Sequence, residues 1–368
     1  MNDLKRYFLL PALTAVLFVF CACTKKMPDE VKQALQQDNP AWAGDFATGH
    51  YSLETPVFEF DDNPEFNAIA LSGGNLTDFS ALESLTLRIL SLADLDITSL
   101  DFMKELDWEA DAIIEIRDCP KITNFKAVST IPLSTVYFQN LPFSDTRDLC
   151  DKLVSVYLDQ TQVKKLDFLN PVAIEELFLV TPETIREPDI SQISQMTRLV
   201  SLTLKNVDSI SQVDFSRLGF LENLTLSSAK ITQFPELAPA VLRAVWLEEC
   251  PNITDLSCLS GKVIERLCIM RSGDPGKLLA NLTNAKIDLL VINGTHVSDL
   301  SFLKRIKGLN CVRFQNCTGL PEKLQDDYMQ RKEMPHPFKR IWHFFILLPP
   351  FYETDETLFL PSLHLCLP

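Results

Sequence analysis

The chain has 368 residues, a hydrophobic content of 46% and a net charge of −15. Such acidity excludes a nucleic-acid grip, which needs clustered Lys and Arg to displace counterions, and it disfavours flat docking on an anionic membrane. The apolar content suffices for a large folded core, the excess charge favours solubility, and length alone predicts two or three domains.

Residues 1–22 read as an export signal. Lys5 and Arg6 form a short charged region, and Tyr7 to Phe20 is an apolar run of 14 residues interrupted only by Pro11. That run is shorter than the roughly 20 residues of a membrane span and suits the core of a signal peptide. Ala22 and Cys23 follow directly. A small residue before a Cys at this place resembles the lipobox of bacterial lipoproteins. The resemblance implies that Cys23 is lipidated and becomes the mature N-terminus. Phe20 and Cys21 depart from the Leu and small residue usual there. Ordinary cleavage near Ala22 and an uncleaved anchor stay open; each of the three exports the body.

Residues 23–65 read as a tether and N-terminal cap. Pro28 to Gln37 has acidic residues in its first turn and predicts a short helix. Val57 to Phe60 predicts a capping strand.

From residue 66 to 320 one pattern repeats. The triplet apolar-x-x-apolar-x-apolar recurs with centres at Ile69, Leu90, Ile114, Val136, Val156, Leu177, Leu202, Leu224, Val245, Leu267, Leu290 and Val312. The gaps run from 20 to 25 residues, a period that signals a stacked solenoid of about 12 units. A solenoid is one body however long it grows, which overrides the length-based domain count. Within a unit, Leu224 and Leu226 alternate as a short strand should. Ile231, Phe234 and Leu237 then recur every three residues, the spacing of a tight 3₁₀-like or irregular return. Alone a unit cannot bury its apolar side; stacked, it does.

This pattern strongly resembles the leucine-rich repeat family. Short returns such as Val297 to Leu303 and Ile253 to Leu259 resemble the 22-residue subclass of bacterial internalins. The resemblance implies a curved α/β-type repeat solenoid, a horseshoe or arc, with a parallel concave sheet and short convex returns. It also implies host-surface or cell-envelope partners. The family usually places Asn five residues after each strand centre. Here those positions hold Gly74, Leu95, Cys119, Leu141, Thr161, Pro182, Val207, Ala229, Cys250, Ser272, Thr295 and Cys317, and none is Asn. Looser turns and irregular curvature are expected, most of all in repeats 6 and 10, where Pro182 and the Arg271 to Gly276 stretch interrupt the return.

Cys119, Cys250 and Cys317 fall in one structural column, in repeats too far apart for the Cα separation of about 7 Å that a disulfide allows. They read as small buried residues, with few or no disulfides in the solenoid. Cys268 and Cys311 fall on outward positions.

The residue after each strand centre faces outward. In that column Tyr137, Tyr157 and Phe178 are consecutive and predict an aromatic ladder roughly 10 Å long; Trp246 lies three repeats on. Arg117, Gln139, Asp159, Lys205 and Glu248 flank the column as a polar rim. Exposed aromatics favour a binding hot spot, although aromatics also simply suit strands. Five His residues make no close-spaced metal pair in the repeats, and no phosphate loop or nucleophile elbow is present. No metal, cofactor or catalysis is expected. Six Asn-x-Thr sequons, at Asn75, Asn223, Asn252, Asn281, Asn293 and Asn316, read as repeat grammar.

Residues 321–368 lose the repeat and read as a C-terminal cap or poorly ordered tail, with Leu324 to Lys332 a candidate helix. The expectation is a monomeric lipid-anchored protein of the bacterial cell envelope, at the outer membrane or cell surface. It would bind a protein, or a glycan, on its concave face. The alternative is an envelope scaffold that docks through its tail.

Overall fold

A computed structural model describes residues 29–51, 58–59, 67–320 apart from 84, 150 and 168, and 328–330. The expected signal segment, Cys23 and nearly all of residues 321–368 lie outside the described residues.

Each expected strand centre lies in a strand. The strands are β3 (Ala68–Gly74), β4 (Thr86–Leu95), β5 (Asp107–Arg117), β6 (Leu133–Gln139), β7 (Ser155–Asp159) and β8 (Glu176–Val180). They continue as β9 (Ser201–Lys205), β10 (Asn223–Ser227), β11 (Val241–Glu248), β12 (Val263–Met270), β13 (Lys286–Asn293) and β14 (Cys311–Gln315). All run parallel in chain order. The twelve centres form one unbroken row of register partners from Ile69 to Val312. The period of two sends each centre and the residue two later into the core, as with Val245 and Leu247, both fully buried. The residues between them form the opposite face of the sheet.

What turns the chain at the end of each strand is a left-handed residue four places after the centre. Ten of the twelve such positions have positive φ: Gly73, Asp94, Asp118, Asn140, Gln160, Asn206, Glu249, Arg271, Gly294 and Asn316. Gly, Asn and Asp, which tolerate this region best, fill seven of them. The exceptions are Thr181, which is β-branched and precedes Pro182, and Ser228. Proline disfavours helical backbone in the residue before it.

The next position, where Asn is absent, is still a polar ladder in part. The Cys119 thiol donates to the Arg117 carbonyl at 3.1 Å and accepts from the Leu95 N–H at 3.4 Å. Cys250 donates to the carbonyls of Glu248 at 3.2 Å and Leu226 at 3.5 Å, and Cys317 to those of Gln315 at 3.2 Å and Ile292 at 3.4 Å. Thr295 Oγ1 donates to the Ser272 carbonyl at 2.7 Å. A thiol or hydroxyl therefore bridges neighbouring turns at the position where the resemblance leads one to expect an Asn amide.

Repeats 6 to 8 carry Pro182, Val207 and Ala229, which offer no side-chain donor at that position; Thr181 Oγ1, one place earlier, donates to the Asn206 carbonyl at 2.8 Å. A buried carboxylate, which only accepts, ties these turns together through side chains. Asp208 accepts from Arg186 Nε at 3.0 Å, lies 3.0 Å from Lys230 Nζ, and accepts from the Ser228 hydroxyl.

Returns are mostly short 3₁₀ turns, for example Ser191–Gln195 and Ser301–Lys304. In repeat 10 the return is instead a single α-turn, Pro275–Leu278, capped by Asp274, whose carboxylate accepts from Gly276 N–H at 2.9 Å. That is the irregularity expected from Arg271 to Gly276.

The N-terminal end is covered by helix α1 (Asp29–Asp38) and strand β1 (Asp45–Tyr51), which pairs antiparallel with β3. The helix matches expectation. β1 was not foreseen; the expected capping strand appears as β2 (Phe58–Glu59) on the far side of β1. Leu35, Trp42 and Phe46 close the core. Asn39 fixes the cap by accepting from the backbone N–H groups of Thr77 at 2.8 Å and Asp78 at 2.9 Å. Gly44 has no alternative, because a Cβ there would sit 1.8 Å from the Ser72 carbonyl oxygen.

The candidate helix over 324–332 is corrected: its described residues, Tyr328–Gln330, form a strand. Three residues from a polar stretch carry no helical apolar periodicity to oppose that.

Candidate functional site

The face of the sheet away from the core displays three side chains per strand, in three register rows. In the middle row Glu115, Tyr137, Tyr157, Phe178, Thr203, Thr225 and Trp246 are successive partners. Tyr137 and Tyr157 have ring centroids 5.9 Å apart at 31°, and Tyr157 and Phe178 6.0 Å apart at 35°. Parallel strands spaced about 4.8 Å apart leave aromatic neighbours no other arrangement than this tilted stack. All three rings are half-buried. The ladder is therefore present. Trp246 stands outside it, separated by the small side chains of Thr203 and Thr225.

Acidic residues surround the rings. Glu176, in the row on one side, accepts from the Tyr157 hydroxyl at 2.7 Å and from Ser155 at 2.9 Å. Burial pushes the Tyr157 phenol well above its ordinary range, helped by the Glu176 charge. Burial likewise raises Glu176, against the two hydroxyl donors. Asp159, in the row on the other side, is 7% exposed. Gln139 Nε2 donates to its Oδ2 at 3.2 Å, while Oδ1 has no hydrogen-bond partner. Burial lifts Asp159 to about 6 despite the attraction of Lys205 and the Gln139 bond. At the head of the ladder Glu115 is buried and 2.9 Å from Arg117 Nε. Its carboxyl is raised by burial, which outweighs Arg117 and a bond from Ser91.

Two of the expected rim residues are not solvent-exposed. Asp159 and Glu248 are only 7% and 8% exposed, because neighbouring side chains in the same rows close over short carboxylates. Lys205 is 2.7 Å from Glu248, and Arg271 NH2 is 2.6 Å from the other Glu248 oxygen. Arg117 sits with Glu115. The residues that sequence reasoning missed are Glu115, Ser155 and Glu176. An acid at an outward strand position beside an aromatic column was the available signal.

Elsewhere, an open groove of about 470 Å³ lies at the turn edge, lined by Pro120, Asn140, Leu141, Pro142, Gln160 and Gln162. Among the described residues no group of three or more His, Cys, Asp or Glu is placed to hold a metal. The six described cysteines are free: Cys119, Cys250, Cys258, Cys268, Cys311 and Cys317. Cys268, though on the outward row, is fully buried beside Trp246 and Val291.

The parallel one-strand-per-repeat sheet with 3₁₀ returns decides the architecture. The chain folds as a solenoid of the leucine-rich repeat type. No protein-family model and no curated protein matches it. Two solved structures similar to this solenoid come from Listeria monocytogenes. The internalin InlF is 20% identical over 68% of this chain and 74% of that one, with a TM-score of 0.46. The functional domain of InlJ, described as including a cysteine ladder, is 14% identical over 68% of each chain, with a TM-score of 0.34. The strand register, rather than these likenesses, carries the assignment.

Proposed function

We propose that this is an exported, non-catalytic protein that binds a protein partner on the outer face of its sheet. Tyr137, Tyr157 and Phe178 form the anchor of the site, with Trp246, Arg117, Asp159, Lys205 and Glu248 around it. The observation that carries the reading is the ladder itself: three aligned, partly exposed aromatic rings on a face built from strands. Large aromatic side chains supply most of the binding energy in protein interfaces, and a preformed sheet spends little ordering entropy on association. In this reading Cys23 is lipidated and holds a monomer at the bacterial cell envelope.

The test is capture from envelope and host-cell extracts by the body, residues 24–368, beside a variant with Tyr137, Tyr157 and Phe178 all changed to Ala. A partner held by the native body and lost by the variant is expected. Identical partners on both would overturn the assignment of this face.

A further inference from the structure

One left-handed turn residue stands apart from the others. Among the ten positive-φ residues four places after a strand centre, only Gln160, Glu249 and Arg271 are neither Gly, Asn nor Asp. Arg271 Nε and Glu249 Oε1 lie 3.0 Å apart, so these two side chains hold each other. Gln160, at φ +51°, has no such tie. Its backbone N–H donates to the Val180 carbonyl at 2.8 Å, while its side-chain amide meets no hydrogen-bond partner among the described residues. An unfavourable backbone conformation kept without a structural reason points to a role in binding.

Gln160 lines the open groove at the turn edge. Two parallel rows of side chains border it. Asn140 and Gln160 stand four places after the centres of repeats 4 and 5; Pro120, Pro142 and Gln162 stand six places after those of repeats 3, 4 and 5. Leu141, between the rows and only 2% exposed, forms the floor. Asn140 Nδ2 donates to Asp118 Oδ1 at 2.7 Å, which fixes its amide and leaves its Oδ1 to accept. No charged residue lines the groove.

We propose that this groove binds a neutral glycan. The Gln160 and Gln162 amides and Asn140 Oδ1 would bond its hydroxyls, and the Pro120 and Pro142 rings would cover the C–H face of a pyranose unit. An amide donates and accepts at once, as does each sugar hydroxyl. An acidic sugar would find no cation in the lining and Asp118 beside it. An extended peptide docks through a free sheet edge or side-chain pockets, whereas this groove offers one buried leucine. Its volume of about 470 Å³ falls in the range of small-ligand sites, about 300–1,000 Å³. The site lies at the turn edge, apart from the aromatic ladder, so either assignment can fail without the other.

The full chain is screened by saturation-transfer NMR against maltotriose, cellotriose and mannotriose, with trigalacturonic acid and a blocked tri-alanine peptide as controls, and calorimetry gives the affinities. Gln160→Gly suits the left-handed turn better than the native residue and removes the amide; Gln162→Ala removes the second. Gln233→Ala, at an exposed position in repeat 8, is the control variant. The expectation is binding of at least one neutral trisaccharide and of neither control compound. Gln160→Gly and Gln162→Ala each weaken it about fivefold, the loss of one or two hydrogen bonds, while Gln160→Gly raises the unfolding midpoint and Gln233→Ala changes nothing. Weaker binding in a better-folded variant separates a ligand contact from damage to the fold. No binding of any neutral trisaccharide, equal binding of either control compound, or unchanged affinity in Gln160→Gly overturns the inference. So does binding that the triple Ala variant of the ladder abolishes while Gln160→Gly keeps it, which would move the glycan to the sheet face.

Discussion

Lys205 on β9 and Glu248 on β11 form an ion pair of 2.7 Å between strands that are not neighbours, with Ser227 of β10 between them in the register. The small side chain of Ser227 leaves the space, and Arg271 secures the second Glu248 oxygen at 2.6 Å. Three successive strand gaps are thereby tied on the outer face. Glu248→Gln takes the shared carboxylate charge from both cations, while Arg271 keeps Glu249 at 3.0 Å. The expected loss is about 1–2 kcal/mol, less than for a fully buried pair because Arg271 is partly exposed. A double-mutant cycle with Lys205→Met in urea unfolding checks it; a coupling below about 0.3 kcal/mol would mean that the pair acts independently.

Asp208 gathers Arg186, Ser228 and Lys230 across repeats 6 to 8, and its loss is expected to be costly. Burial opposes its ionisation, yet Ser228, Lys230 and Arg186 together hold its carboxyl below the ordinary value. A depressed folded value means that the stabilisation is present above the unfolded pKa of about 4 and is lost as pH falls through the depressed value. Asp208→Asn is expected to cost about 2–3 kcal/mol at pH 7 and much less at pH 2.5. Parallel denaturation curves at the two pH values read the difference.

Asp159 has the opposite sign. Its folded value of about 6 exceeds the unfolded value of about 3.8. Keeping it ionised therefore destabilises the fold above pH 6, and this penalty disappears as pH falls below about 4. Asp159→Asn is expected to stabilise the protein by about 1–2 kcal/mol at pH 7.5 and by little at pH 4. Thermal unfolding at both pH values tests this, and a destabilising effect at pH 7.5 would contradict it.

The left-handed turns bear unequal strain. Gln160 holds φ at +51° without the local bonding that Asn or Asp supplies. Gln160→Gly is expected to raise stability by about 0.5–1 kcal/mol, whereas Asn206→Ala, at φ +57°, is expected to lower it by about 1 kcal/mol. Chemical denaturation of the two variants beside the native chain measures both.

Cys250 is fully buried, its thiol is pushed up to about 11 by burial, and it bridges two turns. Cys250→Ala drops the donor, leaving two carbonyls short and a small void; about 1–2 kcal/mol is expected to be lost. Because the thiolate is the reactive form, residue-resolved alkylation is expected to leave Cys250 and Cys268 unmodified until the protein unfolds. Modification of either in the folded state would show that the turns open locally.

Much of this molecule is legible in the chain because the repeat forces it. Twelve centres at near-constant spacing must stack in register, since a slip of one residue would turn Val245 and Leu247 out of the core. The aromatic ladder follows from the same register: consecutive outward aromatics have only each other to pack on. The cap strand β1 was invisible because Asp45 to Tyr51 carries little apolar alternation; pairing with the open edge of β3 selects it. The rim was misjudged for a related reason. An outward position in a strand predicts a face, not exposure, and Asp159 and Glu248 are covered by residues from neighbouring repeats.

The sequence alone determined the solenoid, its strand register, its buried rows and the column of rings, because those depend on periodicity, which is local and additive. The tertiary structure decided which polar groups meet: the Asp208 cluster, the Lys205–Glu248 tie and the unsatisfied Asp159 oxygen. Those depend on side chains some 20 to 40 residues apart reaching across one or two strand spacings. Periodicity places such residues in rows but does not say which of them touch.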